Sequence, residues 1–235
     1  MCFSQEYSGS FALFGLISLY IFKDNKKIKE NLLFIPIVFY TIMEILQTIQ
    51  YSFVNQCENP INRYLTELAY ILILVQPIMW NILFLKKKNK LRTNFHEGIL
   101  YLGIILCAVW MLGFIFRRFD FWGNMPPENI DNQEGCQGTK VCTYKNKGEH
   151  LYWNFDLRNR PGLDANWFMF FCIWLIPLFL IPGEKVLFSS ITSGLLFSYF
   201  YTLYKKQNRH ILASLWCLIS SPTLFVAVIY YGFFK

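Results

Sequence analysis

The chain has 235 residues, 54% apolar and 19% aromatic against only 16% charged, with a formal net charge of +7. Its apolar residues come in runs near the ~20 needed to cross a ~30 Å hydrocarbon layer, which excludes an ordinary soluble domain. The basic residues form short clusters between those runs. There they signal orientation and meet anionic lipid headgroups, which excludes nucleic acid as a partner.

The opening, MCFSQEYSGS, has no positive region and carries Glu6, while Lys23, Lys26, Lys27 and Lys29 follow the first apolar run. This order predicts a retained first helix with a non-cytosolic N-terminus. The first span, Tyr7–Phe22, is short, and Ser8, Gly9, Ser10, Gly15 and Ser18 suit close helix packing. The second runs from Leu32 to Val54, with Pro36 in its first turns, where a missing donor does least harm. The short connection NQCENPINR leads to the third span, Tyr64–Leu85, which ends in the strongest charge block, Lys86–Arg92. A fourth span covers about His96–Phe116 and stops at Arg117 and Arg118.

The long polar region is Phe119–Asn166, whose aromatic tail HLYWNF argues for a folded cap. A short fifth span, Trp167–Ile181, turns at Pro182–Lys185 into a sixth, Val186–Tyr204. A seventh, Ile211–Phe234, is interrupted by Ser220, Ser221 and Pro222. The expected fold is all-α: a polytopic transmembrane helix bundle of seven spans, one membrane domain over 1–235, with a non-cytosolic cap at 119–166 inserted between spans four and five.

Basic residues place the N-terminus outside and the C-terminus in the cytosol. The KKQNRH loop breaks this pattern, and a re-entrant fifth segment with the C-terminus outside would repair it. In the same arrangement Cys2, Cys57, Cys136 and Cys142 share the non-cytosolic face, where disulfides persist. Four cysteines allow three complete pairings, and at least one bridge is expected, tying the long loop to Cys57 or Cys2. Cys107, Cys172 and Cys217 fall inside spans and read as small hydrophobes.

The second and third spans carry polar groups where a span should be dry: Glu44, Gln47 and Gln50 on one, Glu67, Gln76 and Asn81 on the other, beside Pro77 and Trp80. Such side chains face protein or a cavity, because hydrocarbon burial costs too much. Glu44, Gln47 and Tyr51 share a helical stripe that Tyr40 extends. At ~1.5 Å rise per residue, antiparallel helices bring Glu44 level with Gln76 and Gln50 level with Glu67. Glu44, Gln47, Gln50, Glu67, Gln76, Trp80 and Asn81 therefore form the candidate ligand-binding or transport set. Helix-gluing hydrogen bonds are the competing role.

The three histidines, His96, His150 and His210, have no paired metal-ligand spacing, and Cys136 and Cys142 do not form CxxC. No metal site is expected and no cofactor is indicated. Phosphate-binding loops and nucleophile elbows are missing too. Met1-Cys2-Phe3-Ser4, with Ser8 close behind, resembles the start of a poorly characterised group of small polytopic membrane proteins of large DNA viruses and microbes. The resemblance implies a multi-pass membrane fold and brings no activity with it.

The leading functional expectation is binding or transport of a small molecule or ion at the polar faces of spans two and three. A membrane enzyme acting on a lipid-like substrate, with Glu44 or Glu67 as acid/base groups, is the second reading. The third is a structural membrane protein whose outer loop recruits a protein partner. Membrane lipids are partners in every case.

Overall fold

The computed structural model describes residues 4–26, 28, 34–86, 93–118, 141–145, 151–155, 165, 167–179, 192–194, 196–198, 200, 201 and 204. Helix α1 (Gln5–Phe22) begins at Ser4, whose extended backbone lets its Oγ accept from Tyr7 N at 3.4 Å. Its buried stripe is made of small residues, Ser8, Ala12, Gly15 and Ser18, closed by Phe22. That stripe lies on α2 (Phe34–Gln50), which tightens into a single 3₁₀ turn at Tyr51–Phe53. Gly15 sits directly against Thr41, so close that a Cβ there would collide with the threonine side chain. Gln5 Nε2 donates to Thr48 O at 3.3 Å, so the two helices run antiparallel.

Helix α3 (Pro60–Lys86) starts at a proline, whose missing N–H would have no intrahelical partner anyway. Asn59 caps it by accepting from Ile61 N at 3.0 Å. Helix α4 (Thr93–Arg118) follows, then an antiparallel hairpin of β1 (Cys142–Lys145) and β2 (Leu151–Asn154), then α5 (Trp167–Phe179). The core joins Tyr70 of α3 to Phe114 of α4 and to Phe155 after β2, with ring centroids 4.5 and 4.9 Å apart. A second aromatic group sets Trp80 of α3 beside Trp174 of α5, with centroids 6.4 Å apart and the rings tilted by 30°.

The expectation of seven spans is corrected. Among the described residues three stretches are helical, long and apolar enough to cross a membrane: Phe34–Phe53, Pro60–Ile82 and Asn94–Phe116. Helix α1 has 18 residues, and its one full-length window holds Gln5, Glu6, Ser8 and Ser10, which make it too polar. Helix α5 has 13 residues. Its described part reaches ~20 Å at ~1.5 Å per residue, and the last residues of the expected span, 180 and 181, lie outside the described residues. The expected sixth span is helical where residues between 192 and 204 are described. The expected seventh, 211–234, lies outside the described residues, as do 119–140, 146–150, 156–164 and 166 of the expected cap.

Strand β2 alternates as a half-buried strand should, whereas in β1 both Cys142 and Thr143 are buried. Thr143, Leu151 and Trp153 point into the bundle and are buried, while Tyr144 and Tyr152 stack on the other face with centroids 5.3 Å apart. Burial pushes the Tyr152 phenol up from its ordinary value, and Tyr144 beside it adds to the shift.

Candidate functional site

The polar residues of α2 and α3 sort into three groups along the seam between the helices. At the end where α2 passes into α3, the hairpin is seated by side-chain amides. Asn62 Oδ1 accepts from Thr143 N at 2.9 Å, and Asn62 Nδ2 donates to Thr143 O at 3.0 Å. The Asn62 amide thus stands where a third strand would pair with β1. Asn55 continues the imitation: its N–H donates to Thr143 O at 3.0 Å and its Oδ1 accepts from Lys145 N at 3.0 Å. Asn55 holds a positive φ of 63°, a conformation that asparagine tolerates better than most residues.

Gln50 is the hub beneath. Its Nε2 donates to Leu65 O at 3.0 Å and to Thr143 Oγ1 at 3.2 Å, while its Oε1 accepts from Trp153 Nε1 at 3.2 Å. The Thr66 and Thr143 hydroxyls are 2.6 Å apart. A disulfide between Cys57 and Cys142 bolts β1 to the α2–α3 connection across a sequence separation of 85. In the chain-entropy account, closing a loop of that length stabilises by about 4–5 kcal/mol. Cys2 and Cys136, the other two candidates, lie outside the described residues.

Glu44 and Gln47 occupy the middle of the seam, 2% and 0% exposed. No lysine or arginine occurs between Phe34 and Asn62, or between Tyr64 and Leu85. One turn from Glu44, the Tyr40 hydroxyl accepts from Gln76 Nε2 at 2.7 Å and from Trp80 Nε1 at 3.2 Å. Gln76 therefore meets Tyr40 rather than Glu44. The outer pairing of Gln50 with Glu67 is not made either: Glu67 takes Arg63 Nε at 3.0 Å, one turn back on α3. The helices are antiparallel, as the depth argument assumed, but the side-chain partners differ by about one turn.

The third group explains Asn81. Pro177 has no N–H, so the Ile173 carbonyl four residues earlier loses its intrahelical donor. Asn81 Nδ2 reaches across from α3 and donates to Ile173 O at 2.9 Å, and to its own Pro77 O at 2.8 Å. Buried His96 places Nε2 3.4 Å from Pro177 O. Gly103 lets α4 approach α5, where a Cβ would press on Ile173. Asn81 thus repairs a proline break on a neighbouring helix.

Of the residues expected here, Gln76 and Trp80 converge on one atom, Glu44 and Gln47 lie deep in the same seam, and Gln50 binds the hairpin. The sequence reading does not single out Asn62, Thr66 or Thr143, and it reaches Trp153 only within the aromatic tail HLYWNF. Asn62 and Thr66 share a helical stripe with Glu67's neighbours, but their partner lies 77 or more residues away.

The uncharacterized protein R287 of Acanthamoeba polyphaga mimivirus is 26% identical over 233 residues, covering 94% of this chain and 91% of its own. No solved structure matches. The model of the family of unknown function DUF5765 matches residues 6–231, nearly the whole chain, so this protein belongs to that family.

Proposed function

We propose that this is a multi-pass membrane protein that binds and transports a small molecule or ion through the polar seam between α2 and α3. The observation that carries the reading is the placement of Glu44 and Gln47, a carboxyl and an amide buried at mid-helix in a stretch without basic residues. A buried carboxyl at this depth is a group that a proton or a cation can engage, and intramembrane ionisable residues mark substrate and ion pathways. The hairpin end faces the non-cytosolic side. Support comes from the Cys57–Cys142 bridge, which suits an oxidising compartment, and from the basic clusters Lys23–Lys29 and Lys86–Arg92 at the opposite helix ends.

The test is flux in reconstituted vesicles, with proton, sodium and potassium gradients imposed in turn. Wild-type protein should dissipate at least one gradient faster than protein-free vesicles, and Glu44→Gln should remove that flux while eluting as a folded species. Equal flux in the variant would refute the role of Glu44. The Tyr40–Gln76–Trp80 bonds favour a second reading, in which the seam only holds helices together. In that case Glu44→Gln leaves transport at the protein-free level in both proteins and Gln76→Ala lowers thermal stability.

A further inference from the structure

On α2, Gln50 lies about 9 Å along the axis from Glu44 toward the hairpin end, and both side chains are buried. That position is covered. Trp153 donates to Gln50 Oε1, Thr143 contacts Gln50 Nε2, and Trp153 and Leu151 are 0% exposed. Among the described residues one disulfide, Cys57–Cys142, with Cα atoms 5.2 Å apart, holds the covering strands to the α2–α3 connection. Its two sulfurs differ in access: Cys142 is fully buried, whereas Cys57 is half-buried.

We propose that the β1–β2 hairpin is a lid over the Glu44 site, with the Cys57–Cys142 disulfide as its redox latch; this rests on the reading of that seam as a ligand site. The latch opens by thiol–disulfide exchange with an external dithiol. Its thiolate attacks the accessible Cys57 sulfur, the S–S bond breaks, and Cys142 leaves as the thiolate. The second thiol of the reductant then displaces Cys57. The dithiol becomes a disulfide, and Cys57 and Cys142 together gain two electrons and two protons. With the link gone, the lid is held by hydrogen bonds of the Asn62, Asn55 and Gln50 groups, which water can replace as the strands lift, and by the burial of Leu151, Trp153 and Phe155. Oxidised protein keeps the carboxyl closed to that side, and reduced protein admits solute.

Carbodiimide labelling of Glu44 in nanodiscs, read by peptide mass spectrometry, tests this. A membrane-permeant carbodiimide should label Glu44 whatever the state of the latch. A water-soluble carbodiimide with an amine nucleophile should label oxidised protein poorly. Dithiothreitol or the double variant Cys57→Ser, Cys142→Ser should raise that labelling roughly tenfold or more, as expected of local opening. Trp153→Ala, which thins the lid with the disulfide intact, should raise it as well and guards against a reduced protein that merely unfolds. Permeant labelling with no rise of soluble labelling in any of these states overturns the lid and leaves the seam reading standing. Failure of Glu44 to react with either reagent in any state overturns both.

Discussion

The most direct probe of the hairpin seat is Asn62→Ala. Asn62 is 1% exposed, and its amide serves Thr143 N, Thr143 O and Phe53 O, the last at 2.6 Å. Two of these have other partners: Asn55 N also donates to Thr143 O, and Gln56 N to Phe53 O at 3.3 Å. Thr143 N–H, on the strand edge away from β2, donates to Asn62 Oδ1, so truncation leaves a buried donor unsatisfied. That costs about 1–3 kcal/mol, and loss of the better-compensated bonds adds about 1 more. A local loss near 3 kcal/mol corresponds to about a hundredfold in an opening equilibrium, at ~1.4 kcal/mol per decade. Amide hydrogen exchange at Thr143 reads this quantity, because the affected group is the exchanging one. Exchange should accelerate about a hundredfold in Asn62→Ala while helix α4 keeps its protection. Unchanged protection at Thr143 would refute the view that a side-chain amide substitutes for a strand. Asn62→Asp should fail to rescue, since a carboxylate keeps the acceptor for Thr143 N but faces two carbonyls where the donor was.

Three further outcomes follow from other contacts. Asn81→Ala should destabilise by about 1–2 kcal/mol by leaving Ile173 O unpaired, and Pro177→Ala should absorb part of that loss by restoring the intrahelical donor. A double-mutant cycle on thermal stability that showed strict additivity would sink this account. Gly15→Ala should cost about 1–3 kcal/mol, because the new methyl meets Thr41 and α1 must shift off α2; an unchanged melting temperature would contradict the close approach. The Ser4 hydroxyl holds the Glu6 carboxyl below its ordinary value, helped by the Glu6 backbone and by Lys145 of the hairpin, against a small opposing effect of burial. A depressed carboxylate lends stability above the unfolded value of about 4.3, and loses it as pH falls through the folded value. Ser4→Ala should therefore raise the Glu6 titration midpoint by NMR, and a fixed midpoint would rule out that hydrogen bond.

Periodicity and burial cost made much of this protein legible in one dimension. The runs around α2, α3 and α4 announce helices long and apolar enough for a membrane, because span length follows from rise per residue. The small residues Ser8, Gly15 and Ser18 announce a close helix contact, which α2 receives. The same periodicity marks Glu44, Gln47, Gln50 and Gln76 as inward-facing, and all four are buried. Counting apolar runs fails for the short segments. Helix α1 does not qualify, because its one full-length window includes Gln5, Glu6, Ser8 and Ser10 beside the apolar run, and a run count overlooks what flanks it.

What only the tertiary structure decided is who meets whom. Three pairings of four cysteines were open, and Cys57 found Cys142 because the hairpin seats on the α2–α3 connection. Gln76 chose Tyr40 over Glu44, and Asn81 chose a carbonyl that a proline on another helix had released. A residue's chemistry and helical phase are local, set by its own stretch of chain. Its partner is fixed by rotation and sliding of one element against another, and a slip of one turn reassigns every hydrogen bond across the seam.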